Sequence, residues 1–282
     1  MKTKTLLRWA SFFIAGGITL IDASVVEPNW LKIGRKKVPA RQDAERLAGL
    51  RLAHLSDLHI GGLGWRSSTI SAALDVCNKE DVDLIAITGD FITGGGSVRM
   101  ALDLLAALRK DIPRLAVLGN HDHVYGMRPL EMLVDGLRDL GIIVLRNEAI
   151  HLQMRFGPVW FVGIDDGYSM RDDLVQAQAS LRDECRPRIL LTHYPDVVDR
   201  IPLNKYRLIL AGHSHGGQVR LPILDNIVCN GHARTNYKKG IYQVNGNILH
   251  VSPGIGMSSL PLRFLNRPEV TILTFVSSAD IC

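Results

Sequence analysis

Several features that would assign a chain to other classes are scarce or absent in these 282 residues. The four cysteines, Cys77, Cys185, Cys229 and Cys282, lack any Cys-x-x-Cys spacing, so neither a zinc knuckle nor a redox motif is indicated. We expect free thiols, as is usual in a reducing compartment. The sequence also contains no internal repeat and no low-complexity linker.

Positive charge is scarce outside the N-terminal arm. Residues 1–46 contain nine basic and four acidic residues, an excess of five that equals the net charge of the whole chain. The remaining residues are formally neutral, with 24 basic and 24 acidic side chains. Because nucleic-acid binding needs a positive stripe on the binding face, this balance argues against a nucleic-acid partner. It favours an anionic membrane surface that only the arm contacts.

The arm contains a mostly apolar stretch at residues 6–26, interrupted by Arg8 and Asp22, with Trp9 near one end and Trp30 just past the other. Tryptophans at both ends of an apolar stretch are typical of a membrane interface. Three interpretations stay open. A cleaved signal peptide would need better placed small residues, a spanning helix needs about 20 apolar residues, and an in-plane amphipathic anchor is the third.

The charges that flank this stretch predict its orientation. Five basic residues at positions 32–41 outnumber the three at positions 2–8. If the stretch spans a membrane, the positive-inside rule keeps the rest of the chain cytoplasmic; if it lies in plane, the same cluster binds the anionic cytoplasmic leaflet. We therefore predict an anchoring segment at residues 1–46 and one further domain at residues 47–282.

Five short motifs follow one another in that second part of the chain. They are Asp57-Leu58-His59, Gly89-Asp90, Gly119-Asn120-His121-Asp122, the lone His193, and Gly212-His213-Ser214-His215-Gly216-Gly217. Taken singly, each is more often turn chemistry or a core histidine. The set supplies carboxylate, amide and imidazole groups, the ligand types that suit divalent Mn, Fe and Zn.

Each motif directly follows an apolar run, and the runs are residues 50–55, 84–88, 115–118, 189–192 and 208–211. Runs of this length predict buried strands, and open α/β sheets place their ligand sites at the carboxyl ends of such strands. Helical patterns at 67–79, 98–109 and 129–140 predict parallel βαβ units. Further strands are predicted at 159–164, 218–221, 248–252 and 270–275.

The order of the motifs resembles that of the calcineurin-like metallophosphoesterase superfamily over residues 51–275. The resemblance implies an α/β fold, a four-layer α-β-β-α sandwich of two mixed sheets flanked by helices. It also implies two divalent metal ions, with manganese expected and iron or zinc as alternatives. By this resemblance one ion is bound by Asp57, His59 and His215, the other by Asn120, His193 and His213, and both by Asp90.

The same resemblance implies a reaction. Two divalent ions about 3.5–4 Å apart can activate hydroxide for attack on phosphorus and neutralise the phosphoryl oxygens. His121 would stay off the metals, contact the scissile phosphate together with Asn120, and protonate the leaving oxygen. Asp122 is predicted to orient His121.

Within the superfamily, the pattern departs from that of protein Ser/Thr phosphatases, because Asp90 is followed by Phe91-Ile92-Thr93-Gly94 and not by an acidic residue and arginine. Residues 55–59, 212–219, 251–256 and 262–269 are instead similar to the small membrane-associated bacterial branch. That branch includes phosphodiesterases and the UDP-2,3-diacylglucosamine pyrophosphatase of lipid A biosynthesis. In this pattern Arg263 is predicted to bind phosphate, with a role as a surface or structural ion-pair residue as the alternative.

The leading hypothesis is hydrolysis of UDP-2,3-diacylglucosamine to UMP and 2,3-diacylglucosamine 1-phosphate at the cytoplasmic face of a bacterial inner membrane. A lipid-linked pyrophosphate substrate would explain the arm, because an enzyme held at the surface need not extract acyl chains into water. One alternative is a general phosphodiesterase of unknown substrate, including an exported one. Another is a non-catalytic, metal-stabilised membrane protein that binds a partner, although no obligate protein partner is inferred.

Overall fold

The first of two mixed β-sheets contains the strands that precede the earliest motifs. The computed structural model describes residues 16–17, 19–181, 187–220 and 235–277. Within them, this sheet has six strands in the order β1-β12-β2-β3-β4-β5, with β2 to β5 parallel and β12 antiparallel to β2. The strands are β1 (Lys32–Ala40), β2 (Arg51–Leu55), β3 (Leu84–Thr88), β4 (Arg114–Val117), β5 (Ile143–Val144) and β12 (Glu269–Ser277).

The second sheet lies behind the first and carries the later motifs. Its described strands follow the order β10-β11-β9-β8-β7-β6, with β11, β9, β8 and β7 parallel and the two edge strands antiparallel. The strands are β6 (Glu148–Met154), β7 (Gly157–Gly163), β8 (Arg188–Leu191), β9 (Leu208–Ala211), β10 (Gly240–Val244) and β11 (Asn247–Val251).

Alternating side chains of the first sheet divide between two cores. Leu52 and Leu84 point towards the second sheet, where they pack with residues such as Leu208. Their chain neighbours Ala53 and Ile85 point to the opposite face and pack against helices. Successive side chains of a strand face opposite sides, so continuously apolar strands of this kind are buried on both faces.

Helices cover the outer faces of both sheets. The first sheet is covered by α1 (Ser67–Lys79), α2 (Val98–Leu105) and α4 (Met127–Asp139), while the short α3 (Asn120–Val124) begins in the third motif. The second sheet is covered by α5 (Leu174–Gln178) and the 3-10 helix Pro195–Arg200. The predicted α-β-β-α sandwich is therefore confirmed.

The predicted domain boundary at residues 46 and 47 does not coincide with a boundary in the fold. Strand β1, inside the predicted anchoring segment, pairs with β12 over nine residues and contributes Val38 and Ala40 to the core between the sheets. Most of the basic residues there are exposed, and three of them are consecutive at positions 35–37, so charge composition concealed a strand. The catalytic domain thus begins before residue 47.

Three further predictions concern the strand at residues 218–221, the apolar stretch at residues 6–26 and the cysteines. Residues 218–221 do not form a strand within the described residues, where Val219 makes a single bridge with Phe264. Most of the apolar stretch at residues 6–26 lies outside the described residues, as do Cys185, Cys229 and Cys282, whereas Cys77 is buried and free. Among the helices that the structure describes, none has the length and apolar character needed to cross a membrane.

Candidate metal centre

Four of the predicted metal ligands form a compact buried cluster at the carboxyl ends of the strands. One ligand atom from each of Asp57, His59, Asp90 and His215 lies within 4.8 Å of all the others. Nε2 of His59 is 3.0 Å from Nε2 of His215 and 3.3 Å from Oδ2 of Asp90. Buried polar atoms this close to one another need a shared proton or a cation between them, and this donor set suits a divalent metal ion.

The other three predicted ligands lie beside this cluster. Nδ1 of His213 is 3.0 Å from Oδ1 of Asn120, and Nε2 of His193 is 3.3 Å from Oδ2 of Asp90. The rings of His193 and His213 meet edge to face, with centroids 5.2 Å apart. The fold therefore brings all seven predicted ligands together, with Asp90 between the two groups.

Two threonines fix the orientation of the ligand imidazoles. Nδ1 of His59 lies 2.7 Å from Oγ1 of Thr93, and Nδ1 of His193 donates to the main-chain oxygen of Thr88 at 2.8 Å. Each contact leaves Nε2 directed at Asp90, and holding the far ring nitrogen in this way fixes the tautomer of a metal-binding histidine. Among the described residues, Nε2 of both His193 and His213 and Nδ1 of His215 have no hydrogen-bond partner.

The backbone around the ligands is strained. Five ligand residues adopt φ between 45° and 69°, a region that residues other than glycine rarely enter, and these are Asp57, His59, Asp90, His213 and His215. Such conformations cost about 1–3 kcal/mol each and persist where the surrounding structure enforces them. Strain concentrated at one cluster indicates a functional site.

Glycines before the ligands allow the strands to approach one another closely. Gly89 has φ of 79°, and a Cβ there would meet Gly119 and the ring of His193. A Cβ at Gly212 would clash with Ser56 and Asp57. The glycine of each Gly-Asp and Gly-His pair is thus required by the distance between neighbouring ligand loops.

Burial and opposite charges set the protonation of the centre. Burial acts against the charged form of Asp90, but His193 and His59 outweigh it and hold the pKa of Asp90 well below its usual range. Burial likewise disfavours protonated His193, yet Asp90 outweighs it and raises the pKa of His193 to about 10. For His213, burial and the neighbouring His193 lower the pKa to about 3. The carboxylates therefore favour positive charge at the centre of the cluster.

A cavity of about 250 Å³ opens beside the ligands. Its wall includes Asp90, Asn120, His121, Tyr168 and Leu260, so polar and apolar groups both face it. His121 lines the cavity and borders the ligand cluster. Its ring packs edge to face on His59 with centroids 4.8 Å apart, and its main-chain N–H donates to Asp90 Oδ1 at 2.9 Å. Burial lowers the pKa of His121.

Asp122 does not orient His121, and that prediction is wrong. Its carboxylate is fully buried and accepts main-chain N–H groups of Asp90 at 3.0 Å and Gly119 at 2.9 Å, and of Phe91 and Ile92 in the same loop. Asp122 therefore holds the loop that presents Asp90 against the start of α3. Burial and the nearby Asp90 raise the pKa of Asp122 to about 7.

Arg263 cannot bind a phosphate in this structure, because its side chain is fully buried. The guanidinium donates to the main-chain oxygens of Asn266 and Pro253 at 3.0 Å and of Gly256 at 2.6 Å. The prediction of a phosphate ligand is therefore wrong. The arginine is structural, although it binds carbonyl groups and not the expected ion-pair partner.

Sequence reasoning missed Thr88, Thr93 and Tyr168. The threonines hold ligand imidazoles, and Tyr168 lines the cavity with its ring 4.8 Å from that of His213. Thr88 directly precedes the Gly89-Asp90 motif and Thr93 lies three residues after Asp90, so proximity to the motif was the available signal for both threonines. Tyr168 lies far from every motif, so only the fold brings it to the site.

The same segment of chain that carries these ligands matches a known family model. The model is that of the calcineurin-like phosphoesterases, and it matches residues 50–217. The chain belongs to this family. Calcineurin-like phosphoesterases are metal-dependent hydrolases of phosphoester bonds, and the buried Asp and His cluster agrees with that activity.

Three curated relatives of this phosphoesterase align over most of the chain. An uncharacterised metallophosphoesterase of Bacillus subtilis, YkoQ, is 32% identical over 87% of this chain and 89% of its own length. The phosphodiesterase YaeI of Escherichia coli is 29% identical over 89% of this chain and 90% of its own length. A Danio rerio protein named as a transmembrane protein with a metallophosphoesterase domain is 29% identical over 85% of this chain and 56% of its own length.

Proposed function

We propose that this phosphoesterase hydrolyses a lipid-linked pyrophosphate at a membrane surface, with UDP-2,3-diacylglucosamine as substrate and UMP and 2,3-diacylglucosamine 1-phosphate as products. The observation that carries the proposal is an exposed apolar surface next to the wall of the metal-site cavity. We further propose a bacterial inner membrane as the location, with the catalytic domain on the cytoplasmic side.

The N-terminal apolar surface consists of side chains that are about half exposed in a segment of eleven residues. They are Leu20, Ile21, Val25, Val26 and Trp30. Exposed apolar side chains grouped in one short segment are typical of an interaction site, and such a segment suits the plane of a membrane interface. It is followed directly by β1, an edge strand whose exposed Lys32, Arg35, Lys36 and Lys37 would place positive charge close to anionic lipid headgroups.

The N-terminal apolar surface is connected to the cavity through a single loop, residues 263–266. The main-chain N–H of Arg263 donates to Ala23 O at 2.8 Å, and that of Phe264 donates to Gln218 O at 3.1 Å. Gln218 lines the cavity and its side chain donates to Leu260 O at 2.7 Å. A substrate held in the bilayer by its acyl chains could therefore place its pyrophosphate in the cavity.

The residues divide the work of hydrolysis. Two bound divalent ions would activate the attacking hydroxide and neutralise charge on the phosphoryl group. Asp57, His59 and His215 would hold one ion, Asn120, His193 and His213 the other, with Asp90 shared; manganese is the proposed metal. His121 faces the cavity from outside the ligand set, so it is placed to contact the scissile phosphate and to donate a proton to the leaving oxygen.

The decisive experiment compares substrates with and without acyl chains. Detergent-solubilised protein with added Mn²⁺ is assayed on UDP-2,3-diacylglucosamine, on UDP-N-acetylglucosamine and on bis-p-nitrophenyl phosphate. We expect a kcat/KM for the diacylated nucleotide at least about 100-fold above that for the water-soluble nucleotide, since holding enzyme and acylated substrate in the same micelle raises their effective concentration. The Asp90→Ala protein controls for contaminating hydrolases.

A second candidate is a general phosphodiesterase, and the name of the Escherichia coli relative favours it. Cleavage of the simple diester together with an intact diacylated nucleotide would refute the pyrophosphatase proposal and support this one. If neither substrate were cleaved by metal-loaded protein, the non-catalytic alternative would gain support.

A further inference from the structure

The buried carboxylate of Glu27 lies in the N-terminal segment, residues 20–30, and contacts the loop at residues 263–266. The residue opens the 3-10 helix Glu27–Asn29 and is only 6% exposed. Its Oε2 accepts the main-chain N–H of Leu265 at 2.7 Å, and its Oε1 accepts that of Asn266. A buried carboxylate is costly unless it is hydrogen-bonded, so this pair of contacts fixes the segment and the loop to each other.

Asn266 links this contact with Glu27 to the predicted metal ligand His215. Its side chain is buried, and its Nδ2 donates to the main-chain oxygen of His215. Its Oδ1 accepts from Nζ of Lys239 at 2.7 Å, which fixes the orientation of the amide. Asn266 therefore holds the backbone of a ligand residue whose φ of 48° needs external support.

We propose that Glu27 is a positioning residue for the metal site, acting through Asn266 on the main chain of His215. The N-terminal segment then does more than attach the enzyme to a surface, because its docking helps to set the place of one metal ligand. The inference rests on the metal-dependent chemistry of the family and not on the proposed lipid substrate.

The geometry at His215 explains why a small displacement would matter. Its Nε2 lies 3.0 Å from Nε2 of His59 and 3.4 Å from Oδ1 of Asp57. Metal–ligand distances tolerate shifts of about 0.2 Å, and the loss of groups that hold ligands in place typically costs about 10-fold to 100-fold in metal affinity. Loosening the loop would therefore weaken metal binding before it unfolds the domain.

The test measures metal binding directly by calorimetric titration of metal-free protein with Mn²⁺. We expect Glu27→Ala and Asn266→Ala each to weaken Mn²⁺ binding by about 10-fold. The double variant should be no weaker than either single variant, because residues that act through one contact chain are not additive. Turnover of Glu27→Ala should return towards the wild-type value at saturating Mn²⁺.

Arg267→Ala is the matched control. Arg267 holds the same segment, since its Nε donates to Trp30 O at 2.8 Å and its guanidinium covers the Trp30 ring at 3.9 Å, but neither contact leads to His215. We expect this variant to bind Mn²⁺ within about 2-fold of wild type. Equal weakening in Arg267→Ala would overturn the proposal, because it would mean that any loosening of the segment has the same effect.

Glu27→Gln keeps the test valid if Glu27→Ala does not fold. The amide oxygen can accept one of the two main-chain N–H groups, so we expect folded protein, checked by circular dichroism, with Mn²⁺ affinity between that of wild type and Asn266→Ala. Wild-type affinity in both Glu27→Gln and Asn266→Ala would refute the proposal.

Discussion

Two groups of buried histidines occupy this fold, and they differ in what their ring nitrogens contact. His54 and His250 lie between the sheets and satisfy each other: their Nδ1 atoms are 2.9 Å apart, and Nε2 of His54 is 2.8 Å from Oγ1 of Thr88. At the metal site, one ring nitrogen of each of three histidines has no hydrogen-bond partner among the described residues: Nε2 of His193, Nε2 of His213 and Nδ1 of His215. Equal burial thus serves two purposes, and at the metal site the Nε2 atoms of His193 and His213 remain available to a metal ion.

The electrostatic surroundings separate His193 from the structural pair, whereas burial lowers the pKa of His213 and His215 as it does that of His250. Burial lowers the pKa of His250 to about 4 and outweighs the opposing effect of Glu269. At His193 the carboxylate of Asp90 wins over burial and raises the pKa to about 10. The pair is therefore neutral and structural, whereas the metal site is built to hold positive charge.

The largest expected difference in metal content and activity is between a substitution in the metal-site group and one in the structural pair. His193→Ala should bind Mn²⁺ too weakly for stoichiometric loading and should lose activity by about 10⁴-fold or more, since the metal supplies both nucleophile activation and charge neutralisation. His250→Gln should keep metal content and activity within about 3-fold. Metal analysis of the purified proteins and kcat/KM on a phosphodiester measure both, and comparable metal loss in the two variants would break the distinction.

A smaller effect is expected at His121, a half-buried histidine that lines the metal-site cavity but is not a predicted ligand. His121→Ala should keep its full metal content but lose about 10²-fold to 10⁴-fold in kcat, the span for loss of a general acid. His151→Ala, an exposed histidine on β6, is the control. Unchanged turnover would remove His121 from the reaction, and loss of metal would make it a ligand.

The smallest effect concerns stability and pH. The pKa of His250 is lower in the folded protein than its unfolded value near 6.5, so the unfolded state binds the proton first as pH falls. The free energy of unfolding should therefore decrease between pH 6.5 and about 4, by about 1.4 kcal/mol per pH unit for this proton. Urea unfolding of metal-free protein measures it, with His250→Gln as reference; parallel pH profiles for the two proteins would contradict the assignment.

The sequence determined most of the fold and the ligand set. Apolar runs at 84–88 and 208–211 coincide with β3 and β9, because a strand buried on both faces must be apolar throughout. The motifs follow those strands directly, so their residues had to meet at one edge of the sheets. Strand β1 escaped prediction because an edge strand can carry basic residues on its exposed face.

Only the tertiary structure decided the roles of residues whose partners lie far away in the chain. The sequence placed Asp122 beside His121 and Arg263 in a recurring pattern, but both side chains bind main-chain groups of other loops. The link from Glu27 through Asn266 to His215 joins residues about 240 and 50 positions apart. Hydrogen-bond partners at such separations follow from packing and not from local pattern, so the residue types alone could not assign them.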